Sequence, residues 1–176
     1  MHTSRAQEGL RERLEERIAA PRREGRPEQG RRVALNGEGA FIIRIPKIHL
    51  DMVVVEGTDT DSLKNGPGRY ENSAYPWDPG GKVGVAGHRT TYGAPFWDLE
   101  KMQEGDVIRL LTEYGPYRYE VTQVREILPH EGWVLDPTDE PTLVLTTCHP
   151  RYSAARRLVV FADRVGGTPV EDAAAA

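Results

Sequence analysis

The chain has 176 residues, 38% of them hydrophobic and 28% charged, and a net charge of −4 at pH 7. That length suits one ordinary domain with a tail, and the charge gives no overall basic field for holding nucleic acid. A single cysteine excludes an intrachain disulfide framework and a cysteine-rich zinc site, and no run approaches the roughly 20 apolar residues of a membrane span.

Residues 1–36 differ from the rest. Leu10, Leu14 and Ile18 recur at four-residue steps among Arg and Glu, which predicts a short amphipathic helix ended by Pro21. The segment RREGRPEQGRR that follows is polar and helix-breaking. The expectation for 1–36 is a stalk or linker, partly disordered and mostly a solvated charged tail. From Ala40 the pattern turns to strands. FIIRIPKIHLDMVVVEG holds two apolar runs split by Pro46, as two strands meeting at a kink. DSLKNGPGRY predicts a helical turn leading into a Gly-Pro-Gly loop, and KVGVAGH a strand stopping at Gly87 and His88. PFWDLEKM predicts a helical turn. DVIRLLT and YRYEVTQVREI predict a hairpin about a Tyr-Gly-Pro turn at 114–116. A loop rich in Pro, Gly and Asp spans Leu128 to Pro141, then TLVLTTC is a strand running into Cys148, and RLVVFADRV is the last strand. The expected division is 1–36 stalk, 37–166 catalytic domain and 167–176 a frayed tail. The fold class is mainly β: seven or eight short strands with little helix, as a barrel or sandwich.

Cysteine chemistry needs a thiolate, a group that gives and takes a proton, and a donor for an oxyanion. Cys148 ends an apolar strand and opens the polar turn CHPRYS, a place from which a side chain can face a cleft. His88 ends another strand beside glycines that allow close approach. His149 is its rival, but neighbours on an extended chain point to opposite sides. His2, His49 and His130 lack a comparable setting. A guanidinium from Arg157 or Arg156 comes near the thiol if the last strand pairs with the strand ending in Cys148. Alternation puts only one of the two on the cleft face, and spacing does not choose between them. The acidic residues form no metal-ligand set, no phosphate-binding glycine loop precedes a helix, and no cofactor is implied.

AGHRTTYGAPFWDL around His88, TLVLTTC ending at Cys148, YSAARRLVVFA around Arg157, and the upstream LKNGPGRY together resemble the sortases, and specifically the actinobacterial class E sortases. The resemblance covers roughly residues 40–165. It implies an eight-stranded β-barrel and a cysteine transpeptidase. Cys148 would attack the Thr carbonyl of a sorting signal, LAxTG-like in preference to LPxTG, and form a thioacyl intermediate. His88 would protonate the leaving glycine amine and deprotonate the acceptor, an amine of the peptidoglycan precursor. The resemblance selects Arg157, which leads into the last apolar run, as the group that positions substrate and steadies the oxyanion. It also implies substrate contacts from Thr147 and, more remotely, from Tyr70 after the GPG loop. The Leu128–Pro141 loop would form one groove wall. Sortases carry an N-terminal membrane anchor, so the expectation is an extracellular portion of an anchored surface enzyme, with 1–36 as juxtamembrane stalk.

Overall fold

The computed structural model describes residues 2–19 and 36–166. Helix α1 (His2–Ala19) precedes β1 (Gly39–Ile45), β2 (Leu50–Glu56), a six-residue helix α2 (Thr60–Asn65), β3 (Gly68–Arg69), β4 (Lys82–Ala86), β5 (Val107–Thr112), β6 (Gly115–Ile127), β7 (Thr142–His149) and β8 (Arg156–Gly166). The eight strands close into one barrel in the order β1-β2-β3-β4-β7-β8-β6-β5, mostly antiparallel, with β2–β3 and β4–β7 parallel. The mainly β reading thus resolves into a barrel rather than a sandwich.

Local chemistry sets each boundary. Pro46 opens a 3-10 turn, Pro46–Ile48, and His49 leaves it in the left-handed region at φ 53°. The two apolar runs therefore fold back as a hairpin with Ile45 opposite Leu50, a sharper reversal than a kink. Asp59 caps α2 by accepting from the Ser62 backbone N–H at 3.1 Å. Hydrogen bonds from the Ser62 side chain and backbone hold its carboxyl below the usual range. The β5–β6 turn is tighter than the expected 114–116 turn, with Thr112 pairing Gly115. The Thr112 hydroxyl donates to the Gly115 carbonyl at 2.8 Å and accepts from the Tyr114 N–H at 3.1 Å.

The barrel interior holds Phe41, Ile43, Ile45, Val54, Val83, Val85, Ile108, Leu110, Leu143, Leu145, Leu158 and Val160. These recur at every second residue, as strand geometry requires. The intervening positions explain why the runs in β1, β2 and β7 do not alternate with polar residues. Ile42, Val53 and Val55 face outward and are sealed by Leu10 and Leu14 of α1. Val144 and Val159 face outward and are sealed by Ile127 and Val134. Strands covered on both sides read as continuous apolar runs.

Residues 2–19 are therefore not a solvated tail. Leu14 is fully buried, and burial of one leucine stabilises by roughly 1.5–3 kcal/mol. Gln7 works as a surrogate strand residue: its amide N donates to the Val53 and Asn65 carbonyls at 2.9 and 2.8 Å, and its amide O accepts from the Val53 N–H at 2.7 Å. Four-residue apolar spacing signalled the helix, but the long Arg and Glu side chains hid its docking. Arg11 donates to Asp51 and Arg17 to the Gly39 carbonyl, so part of that charge is spent on the barrel. The expected linker beyond the helix and the expected tail, 167–176, lie outside the described residues, as do residues 20–35.

Candidate active site

A groove of about 270 Å³ crosses the outer face of β4, β7 and β8. Its floor comes from strand alternation. Val83 and Val85 point into the barrel, so Ala86 points out; Leu145 points in, so Thr146 and Cys148 point out; Leu158 points in, so Arg157 points out. Ala86, Thr146 and Arg157 line the groove, with Thr58, Leu63 and Tyr70 on one side and Ile127, Pro129, Glu131, Gly132, Val134 and Leu135 on the other. The expected loop from Leu128 to Pro141 thus forms one wall, braced by a 3-10 turn at Gly132–Leu135.

Cys148 is partly exposed and pairs with Arg157 in the β7–β8 ladder. One guanidinium nitrogen, Nη1, donates to Cys148 Sγ at 3.4 Å. Arg156 is exposed and pairs with His149, so the alternation left open by spacing resolves toward Arg157 on the cysteine's face.

His88 lies two residues beyond the end of β4, which stops at Ala86 rather than at the histidine. The parallel register Ala86↔Thr146 carries the chain on beside β7. The Gly87 N–H donates to the Thr146 carbonyl at 3.1 Å, and the Thr147 hydroxyl donates to the Gly87 carbonyl at 2.7 Å. These bonds hold the His88 segment against the strand that carries Cys148. The His88 ring packs against Tyr92 with centroids 5.2 Å apart. Burial pushes its imidazole below the ordinary value of 6.5, so the resting ring is neutral at pH 7. His149 faces away, its Nε2 at 2.9 Å from Glu126 and its Nδ1 at 3.1 Å from Arg89. His49 closes a turn, His130 is exposed in the wall loop, and His2 bonds Asn65 at 3.0 Å.

Thr147 is 2% exposed and its hydroxyl is committed to Gly87, so it binds strand to loop and does not line the groove. The groove threonine is Thr146, whose hydroxyl lies 2.7 Å from the Tyr70 hydroxyl. Counting strand parity from the cysteine would have found Thr146. Tyr70 packs closely on Gly84, where any Cβ would sit 2.9 Å from its ring. Phe96 uses Gly87 the same way, at 2.6 Å. The glycines beside His88 therefore admit the protein's own aromatic rings. Among the described residues, no group of three or more acidic, His or Cys side chains is placed to hold a metal.

The sortase-domain profile matches residues 43–165. The chain belongs to the sortase family. It is 37% identical to sortase D of Bacillus subtilis over 73% of this chain and 65% of that protein. It therefore spans just under two thirds of that curated relative's length. Among solved structures, a Clostridium perfringens sortase D5 transpeptidase superposes with a TM-score of 0.81 at 28% identity, over 92% of this chain and 99% of that one. Sortase E from Streptomyces avermitilis superposes with a TM-score of 0.70 at 33% identity, over 79% and 95%. The sortase groove and the Cys148–Arg157 contact thus sit on a barrel shared with class D and class E members alike.

Proposed function

We propose that the chain is a cysteine transpeptidase that cleaves a sorting signal between Thr and Gly and transfers the acyl half to an amine of the cell wall. The observation that carries this reading is a guanidinium, Arg157, that lines the groove and lies 3.4 Å from the outward-facing thiol of Cys148.

The groove suits an extended peptide. Leu63, Ala86, Ile127 and Leu135 offer apolar contact, while Tyr70, Thr146 and Arg157 supply polar groups. In the reaction the Cys148 thiolate attacks the Thr carbonyl carbon, a C–S bond forms, and the carbonyl oxygen becomes an oxyanion. Arg157 donates to that oxygen. Collapse breaks the C–N bond, and the His88 imidazolium gives its proton to the leaving amine. The acceptor amine then attacks the thioester, His88 takes its proton, and the C–S bond breaks to release the Cys148 thiolate as the new amide forms. Burial holds the His88 imidazole below its ordinary value, so the ring must gain a proton before it can act as the acid.

Class E membership, with an LAxTG-type signal, rests on LKNGPGRY and AGHRTTY and on likeness to the Streptomyces enzyme; the higher identity to a class D relative weighs on the other side. The acceptor is a peptidoglycan precursor amine, and the site of action is the outer face of the membrane. No helix among the described residues is long and apolar enough to cross a membrane.

The test is a fluorogenic peptide pair, LAxTG and LPxTG, with and without an amine acceptor, beside Cys148→Ala. Wild type should form a thioacyl adduct visible by mass spectrometry and yield ligated product only with acceptor. Equal inertness of wild type and variant, with no adduct, removes the enzymatic reading. Cleavage without ligation makes the chain a hydrolase, and preference for LPxTG removes the class E signal.

A further inference from the structure

Beyond that reaction, and resting on the reading of Cys148 and His88 as its reacting pair, one buried arginine outside the groove stands out. Arg89 follows His88 directly and is 3% exposed. Its Nη1 donates to the Cys148 carbonyl at 2.9 Å and to His149 Nδ1 at 3.1 Å, its Nε donates to the Trp97 carbonyl at 3.0 Å, and its Nη2 pairs with Glu100.

The reason for these contacts lies in the sheet. On its β4 edge, β7 presents carbonyls at every second residue. The Thr146 carbonyl is the last to meet a backbone donor, the Gly87 N–H. The next carbonyl on that edge belongs to Cys148, where β4 has already ended. An unpaired carbonyl there would leave the nucleophile's strand end free to fray. The Arg89 side chain supplies the missing donor. Because the same guanidinium is anchored to Trp97 and Glu100, it also fastens the two ends of the loop that follows His88; the Phe96 N–H donates to the His88 carbonyl at 3.2 Å within that loop. His149 completes the arrangement. A guanidinium can only donate, so Nδ1 accepts and the ring proton sits on Nε2, facing Glu126 at 2.9 Å.

We propose that Arg89 is a positioning residue for the transpeptidation: it extends the β4–β7 ladder by one side-chain hydrogen bond and so fixes Cys148 and His88 relative to each other without touching substrate. A lysine cannot replace it, since one ammonium cannot reach two carbonyls, a carboxylate and an imidazole in fork geometry.

The test uses the full chain. Folded Arg89→Lys should lose about 100-fold in kcat with KM within about threefold, the signature of misplaced reacting groups rather than weakened binding. Millimolar guanidinium should restore part of the kcat lost in Arg89→Ala, and ammonium should not. Amide exchange gives a readout independent of turnover: in Arg89→Lys the Gly87 N–H should exchange at least about tenfold faster while β1 and β2 amides keep wild-type protection. Should both Arg89 variants fail to fold, Glu100→Gln weakens the anchor from a more exposed position and should lower kcat about threefold to tenfold. The proposal is overturned by a folded Arg89→Lys with kcat within about twofold of wild type, by an unchanged Gly87 amide, or, where only Glu100→Gln folds, by unchanged kcat in that variant. A wild type that turns over no peptide sinks the transpeptidase reading instead, and the exchange experiment still decides whether Arg89 holds the two segments together.

Discussion

Arg69 and Arg157 both sit on strands of the same barrel and do opposite jobs. Arg69 is fully buried. Its Nε donates to Glu56 at 2.9 Å, its Nη2 pairs with the same carboxylate, its Nη1 donates to the Ser73 carbonyl at 2.6 Å, and its plane stacks on Tyr75 at 3.8 Å. Every face of that guanidinium is committed. Arg157 is partly exposed and, among the described residues, its guanidinium makes one hydrogen bond, to the weak acceptor Cys148 Sγ. The difference separates a structural arginine, saturated with partners, from the one proposed to act on substrate, which keeps spare donors at a groove.

The sharpest way to break the comparison is to truncate both. Arg69→Ala leaves the Glu56 carboxylate buried and unpaired, which should cost about 3–5 kcal/mol in denaturant unfolding. Arg157→Ala should leave the unfolding midpoint nearly unchanged and lower kcat by about 10²–10³, the loss of one oxyanion donor. Arg156→Ala should leave kcat alone; the reverse pattern for 156 and 157 would undo the assignment. A fourth variant separates stability from the site altogether. Leu14→Ala empties a fully buried position between α1 and the barrel, and melting should report a loss of about 2–3 kcal/mol with the Cys148–Arg157 contact intact.

The smallest effect concerns His88. Burial, not a charged neighbour, holds its imidazole below 6.5, so an NMR titration should find a depressed midpoint in wild type and in Cys148→Ala alike. The sign for stability follows. As pH falls through 6.5 the unfolded chain takes up this proton first, so this residue's contribution declines until the folded midpoint is reached and then levels off. A midpoint that rises above 6.5 in wild type, and drops when the thiol is removed, would mean that a thiolate partner sets it instead.

Much of the fold was legible because its signals are local. Strand runs, the Pro46 break and the Gly-Pro-Gly loop each act within a few residues. The nearness of Cys148, the His88 segment and Arg157 was legible through their places at strand ends. Three things were not. The docking of α1 depends on an apolar patch, Ile42, Val53 and Val55, that sequence shows only as extra hydrophobicity in two strands. The exchange of Thr147 for Thr146 at the groove turns on parity, which a motif match ignores. Arg89 carries no separate signal in the sequence; where β4 stops is set by pairing across the sheet rather than along the chain.

The groove has a floor and walls of different origin, and this gives the site a modular character. Its floor, Ala86, Thr146 and Arg157, belongs to strands whose opposite faces pack the barrel interior, so no floor residue can shift without disturbing the core. Its walls come from Thr58 and Leu63 on one connection and from the 129–135 segment on another. Grafting either connection from another barrel of this kind would show whether the walls set the proposed peptide preference while Cys148 and Arg157 keep their places on the floor strands.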